Sequence, residues 1–406
     1  MPQSVETTYR YRWVILGILW ITFIVVYLNR LCIGPLAPFL KENMALTNTQ
    51  IGIAMSATSF GFLVVQLPLG FLVDRIGARW PIAIGELIAG ASLTALFFVP
   101  SYTWLLIFLF ITGLGCGFLQ PATAQGVIIW FPQHERATVM GLKQTSFNIG
   151  GIITAIGLPI VALSLGWRYG FLFLGITAIA IGITAFILYK EPPSKASPED
   201  AGMDTPKPMS LANLLKNREI WMVGAVGFCF SWIEIAAIAY LVLHLTEILL
   251  FSVVAAGGLL AMAQATGGIG RPLTGFLSDR VFRARRKPVL ILLATIVSAS
   301  CLFLSLLHPY VSWEIYPVIF LLGLGGIAFG GVFLTLLGEL GGPRGAGKVV
   351  GLGSTIAVGG STVGPIVFGY IIDISGSYQL AWLSLAFLGV LTLLLLLFIH
   401  EEKRKA

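Results

Sequence analysis

Residues 70–79 read GFLVDRIGAR, and a shorter copy, GFLSDR, occupies 275–280. Gly70 and Gly275, Leu72 and Leu277, Asp74 and Asp279, and Arg75 and Arg280 pair at one constant offset. A second echo, GLGCGFLQPA at 113–122 and GLGGIAFGG at 323–331, falls at nearly the same separation. Such self-similarity marks a chain made of two related halves. Between the copies, residues 190–219 read KEPPSKASPEDAGMDTPKPMSLANLLKNRE, rich in Pro and charge and unlike everything around them. The expected organisation is therefore a first half over 1–189, a linker over 190–219 with a short surface helix at Ser210–Asn217, and a second half over 220–406.

Outside the linker the chain is apolar. It is 57% hydrophobic and only 11% charged over 406 residues, with a mean hydropathy of +0.92. Soluble domains are about a quarter charged, so a single water-soluble core is excluded. A membrane-crossing helix needs about 20 mostly apolar residues, and twelve would use roughly 240. Apolar runs lie near 13–36, 50–73, 81–99, 104–128, 139–163, 167–189, 220–245, 252–277, 288–307, 314–338, 346–372 and 378–399. Lipid satisfies no backbone N–H or C=O, so such runs are helices. They lack the short alternation of a membrane barrel. The fold class expected is an all-α membrane protein of twelve spans in two pseudo-symmetric six-helix bundles. Paired halves around a midplane site are the build of many secondary transporters.

The net charge of +7 does not point to nucleic acid. About 20 of the 25 Lys and Arg residues fall in alternate loops and the tails, including Arg75, Arg79, Arg136 and the cluster Arg280, Arg283, Arg285, Arg286 and Lys287. The opposite loops hold only Lys41 and Arg168. That split places both termini in the cytoplasm. The first run follows Arg10 and Arg12 but is long, holds Arg30 and lacks a small-residue cleavage site. It reads as a retained span in a multi-pass protein of the cell membrane, not a signal peptide. Cys32, Cys116, Cys229 and Cys301 form no C-x-x-C pair, so buried thiols are expected and a metal site is not.

GFLVDRIGAR resembles the G-x-L-x-D-R-x-G-R-[KR] signature of the major facilitator superfamily, and it lies where that family carries it, between spans two and three. The resemblance covers the whole chain. It implies a gating role for Gly70, Asp74, Arg75, Gly77 and Arg79, and for Gly275, Asp279 and Arg280 in the second copy. The glycines would let helices approach, and the aspartates would meet a helix N-terminus or nearby arginines. At closer range, Tyr27-Leu28-Asn29-Arg30 looks like the Y-x-D-R segment of organic-anion symporters of the anion:cation symporter group. Trp130-Phe131-Pro132, Glu135-Arg136-Ala137 and Gly166-Trp167-Arg168 also fit that group. Asn29 and Gln120 stand where such proteins often carry carboxylates, which departs from their proton-coupling route. Arg271-Pro272 resembles the span-eight arginine of monocarboxylate and oxalate/formate carriers.

Ionisable residues inside spans cost at least ~2.5–3.5 kcal/mol and need reasons. Arg30 suits a carboxylate clamp, because guanidinium binds carboxylate in two-pronged fashion. Tyr27, Asn29 and Gln120 join it as candidate substrate residues. Lys143 is followed by Gln144 and Asn148, and the latter two share a helix face. Lys143 either heads a polar cavity stripe or snorkels. Arg271 either binds substrate or braces Asp279. Glu234 and Glu86 are the candidate proton carriers, with a static partner for a buried arginine as the alternative for Glu234. Glu339 and Asp373, near span ends, read as solvated, and His244 as a satisfied polar residue.

GPRGAGK at 342–348 imitates a phosphate-binding loop, but Val349 replaces the Ser or Thr that binds magnesium. Glycine pairs at 113/117, 326/330 and 360/364 read as helix-packing surfaces. No nucleophile triad or metal cluster suggests an enzyme, and no cofactor is expected. The reading is a monomeric secondary transporter of a small organic anion, a mono- or dicarboxylate, working by alternating access with a proton or other coupling ion. Proton-driven efflux of lipophilic compounds is the alternative, and a transporter-like solute sensor is a third.

Overall fold

Apolar runs become helices almost wherever the sequence places them. The structure, a computed structural model, describes residues 3–191, 216–307 and 313–399; side chains at 3–10, Leu67, 70–72, Asp74, Arg75, Gln133, His134, Ala137 and 342–347 lie outside that description. In order the helices are α1 (Gln3–Leu31), α2 (Ile33–Met44), α3 (Asn48–Ile76), α4 (Arg79–Ala95), α5 (Tyr102–Trp130), α6 (Gln133–Gln144) and α7 (Ser146–Ser164). They continue as α8 (Trp167–Leu188), α9 (Arg218–Glu247), α10 (Val253–Phe276), α11 (Lys287–Leu306), α12 (Ile315–Ile327), α13 (Gly330–Ser375) and α14 (Tyr378–Phe398). Among the described residues there is no strand. Among the described residues eleven helical stretches are long and apolar enough to cross a membrane, and α3 is helical along the second predicted run.

Local chemistry sets several ends. Asn217 caps α9 by accepting from the Glu219 amide at 2.9 Å, and Ser252 caps α10 from Ala255 at 3.2 Å. Gly376, at φ +64°, closes α13 in the left-handed conformation. Two differences from the sequence reading stand out. The first span bends at Cys32 and runs on to Met44. The loop expected near 339–345 is absent, because α13 stays helical from Gly330 to Ser375. GPRGAGK thus lies in a helix, not in an open phosphate loop. The helix expected over Ser210–Asn217 falls almost wholly outside the described residues.

The chain forms two compact units. One holds α1, α3 from Ala57 onward, α4 to α6, most of α7 and α8. Its core is built on close backbone approach. A Cβ on Gly85 would lie 2.6 Å from the Gly115 carbonyl, and one on Gly90 would lie 2.7 Å from that of Gly175. Small residues therefore let α4 seat against both α5 and α8. The other unit holds α2, α3 through Ser56, residues 155–160 and α9 to α14. There α9 lies along α13, and α12 meets α10 and α11. Two of the three predicted glycine pairs, 113/117 and 360/364, serve this packing: Gly117 abuts Phe62 on α3, and Gly364 abuts Trp232 on α9. All four cysteines are buried and free.

Candidate functional site

One face of α1 carries Trp20, Phe23, Tyr27 and Arg30, spaced by three and four residues as a helical stripe requires. Trp20 Nε1 donates to Thr145 Oγ1 at 3.0 Å. The Phe23 and Tyr27 rings meet edge to face at 5.2 Å, and Tyr27 meets Phe147 of α7 at 4.7 Å. The Arg30 guanidinium lies over Phe62 at 4.1 Å and Tyr27 at 5.8 Å. It is half-buried, and among the described residues it makes no ion pair. Two ring faces at about 0.5–2 kcal/mol each hold the cation in place without neutralising it.

Lys143 does not snorkel. It is 1% exposed, with Nζ donating to Thr123 Oγ1 at 3.0 Å and lying 4.1 Å from the Phe23 ring centre. One hydrogen bond and one ring face return about 2–3 kcal/mol, while burying a charge costs several kcal/mol. No carboxylate among the described residues makes up the difference. Gln120, one turn before Thr123 on α5, is half-buried with Oε1 unpartnered among the described residues. Gln144 is half-buried and Asn148 buried. Asn29 is fully buried, with its side chain at Cys116.

The two carboxylates part company. Glu86 on α4 is completely buried, with neither oxygen hydrogen-bonded among the described residues. Its Cβ lies 2.9 Å from where a Cβ on Gly182 would stand, so α8 closes over it. Glu234 on α9 lies 3.9 Å from Arg271 Nη2. It also borders a pocket walled by Ile233, Ala237, Leu260, Leu322 and Ile327. Arg271 Nε donates to the Ile327 carbonyl at 3.4 Å. The arginine and carboxylate of the second half are thus brought together.

At the motif copies, Arg286 is the organising cation. It donates to Ser278 Oγ at 2.8 Å, to Glu339 Oε1 at 3.1 Å and to Asp279. Burial works against its charge, but these acceptors outweigh that and hold its pKa above the ordinary value. Glu339, expected to be solvated, is therefore engaged. Arg280 is exposed. A Cβ on Gly275 would meet open space, so close helix approach is not what this glycine provides. In the first copy Gly77 takes φ +79°. Glu191, at the start of the linker, accepts from the Ala78 and Arg79 amides at 2.9 and 3.1 Å. Arg79 Nε donates to the Phe186 carbonyl at 2.8 Å. Gly70 lies within α3, and the side chains of Asp74 and Arg75 lie outside the description.

Sequence reading missed a polar cluster at the 33–56 hairpin. Asp373 accepts from the Asn48 amide at 3.0 Å, Asn48 Nδ2 at 2.8 Å, the Thr49 amide at 2.7 Å and Thr49 Oγ1 at 2.6 Å. Lys41 Nζ donates to Glu247 at 2.8 Å and Asn48 Oδ1 at 2.9 Å. Tyr240 donates to the Asn48 carbonyl at 2.6 Å, and Tyr378 to Glu247 at 2.9 Å. Asp373 is thus no idle surface acid. His244 is 2% exposed and packs on Tyr378 and Trp382, with neither ring nitrogen hydrogen-bonded among the described residues; it is not the satisfied residue expected.

Comparison with known proteins places this geometry in context. The family model of the Major Facilitator Superfamily matches residues 19–365. A probable sulfoacetate transporter of Cupriavidus necator is 27% identical, over 96% of this chain and 93% of that protein. A hexuronate transporter of Bacillus subtilis is 25% identical, over 92% and 90%. The crystal structure of a bacterial homologue of the human lysosomal transporter Spinster, inward-facing and occupied, superposes with a TM-score of 0.80. It is 17% identical, over 96% of this chain and 97% of that one, a likeness of fold alone.

Proposed function

The chain belongs to the Major Facilitator Superfamily, and from that premise we propose that it moves a small organic anion across the membrane by alternating access. Arg30 carries the reading. A guanidinium inside a span, stacked on Phe62 and Tyr27 and without an ion pair among the described residues, is a cation prepared for an anion from solution. Sulfoacetate and hexuronate, named for two relatives, are both organic anions. In this proposal the two six-helix halves, 1–189 and 220–406, rock about the site, with both termini in the cytoplasm of a cell membrane. The Arg286–Asp279–Glu339 cluster serves as a latch of the second half. Glu86, whose oxygens accept no hydrogen bond among the described residues, is the carboxylate for a coupling proton, whereas Glu234 already faces Arg271.

Efflux of lipophilic compounds is the reading that competes with it. Thermal-shift measurement on purified protein separates the two. A ligand at 100 times its Kd stabilises by ~2.7 kcal/mol. Small carboxylates and sulfonates are expected to stabilise the protein, and Arg30→Ala to abolish the response. Stabilisation by lipophilic cations alone, unchanged in Arg30→Ala, would refute the anion reading.

A further inference from the structure

Arg30 and Lys143 meet the same aromatic stripe of α1. Lys143 Nζ lies against Phe23, and the Arg30 guanidinium lies against Tyr27 and Phe62. Phe23 and Arg30 are seven residues apart, about 10 Å along the helix. The Phe23 and Tyr27 rings meet edge to face, 5.2 Å apart. Lys143 has three N–H donors, of which Thr123 takes one. Both cations lack an ion pair among the described residues, and both belong to the same compact unit. Arg271, the other intramembrane arginine, has Glu234 beside it.

We propose that Lys143 is the second anchor of the site and that the ligand is a small dianion. Of its two carboxylate or sulfonate groups, one is held by Arg30 and one by Lys143. This rests on the anion-transport reading and specifies its substrate class. Lys143 sets preference for two charges over one. Arg30 is required for both kinds of ligand. Trp20, Tyr27 and Gln120 are half-buried.

The test is calorimetric titration of the full chain in detergent with succinate and with butyrate, which share four carbons and differ by one charge. Wild type is expected to bind succinate about tenfold or more tightly than butyrate, the worth of one desolvated ion pair. Lys143→Met is expected to erase that preference while leaving butyrate affinity within about threefold. Arg30→Ala is expected to weaken both. Lys143→Gln, which keeps a donor for Thr123, guards against misfolding and is expected to behave like Lys143→Met. Equal loss of both ligands in Lys143→Met and Lys143→Gln would reduce the lysine to a structural role and overturn the proposal. So would unchanged succinate preference. If Arg30→Ala alters neither ligand, the anion site itself is refuted, and the dianion proposal falls with it.

Discussion

Replacing Asp373 by alanine tests the cap that α13 lends to α3 across 325 positions of sequence. The carboxylate accepts two main-chain amides from the first turn of α3, at 3.0 and 2.7 Å, and two side-chain donors, at 2.8 and 2.6 Å. Amides in a first turn have no acceptor within their own helix. Loss of an N-terminal cap costs about 0.5–2 kcal/mol, and bonds to a charged acceptor cost about 1.5–3 kcal/mol each when buried. Asp373 is exposed, so water recovers much of that sum. A net loss of about 1.5–3 kcal/mol follows, making local opening of this turn roughly 10- to 150-fold more frequent. Hydrogen exchange at the Asn48 and Thr49 amides reads it directly. Exchange in Asp373→Ala is expected to accelerate by that factor, and by less in Asp373→Asn, which keeps an acceptor. Amides of α4, in the other unit, are expected to stay unchanged. Wild-type protection at 48 and 49 in the alanine variant would refute the cap, and uniform acceleration in both units would show a global effect instead.

Three further outcomes follow from the same structure. Arg286→Ala leaves Glu339 and Asp279 without their shared donor and is expected to lower unfolding stability by about 1–3 kcal/mol; an unchanged melting curve would dismiss the cluster as a latch. Gly85→Val drives a side chain into the Gly115 carbonyl and should cost about 1–3 kcal/mol or more, whereas Gly275→Ala, facing open space, should be neutral or stabilise by up to about 1 kcal/mol. Parallel melting of those two variants checks both, and equal destabilisation would contradict the packing. Glu86→Gln preserves volume and is expected to melt within about 1.5 kcal/mol of wild type, yet to uncouple uptake from an imposed proton gradient in proteoliposomes. Uptake that still follows the gradient removes Glu86 as the carrier.

Spans were legible because their cause is local. Any window apolar enough for lipid must satisfy its own backbone, so 220–245 or 378–399 could be nothing but helix. The 339–345 segment escaped because glycine and charge are loop signals in isolation, yet the helices on either side carry α13 straight through. Arg30, Lys143, Glu86 and Glu234 were legible as anomalies, since a charge in an apolar run announces itself. Their partners were not. The snorkelling alternative for Lys143 depended on which way α6 turns, and no spacing within 139–163 specifies that.

The sequence by itself determined the class of this protein: helices through a membrane, a duplicated motif, and an arginine where charge is expensive. Hydrophobicity and helix periodicity act over a few turns, so a window of residues contains their whole cause. Only the tertiary structure decided which charges are neutralised. It set Glu234 beside Arg271, buried Lys143 on Phe23 and Thr123, turned Asn29 toward Cys116, and bound Asp373 to Asn48 and Thr49. Those pairings depend on how each helix is rotated against neighbours tens to hundreds of residues away. That rotation is fixed by the packing of whole faces and not by any local pattern.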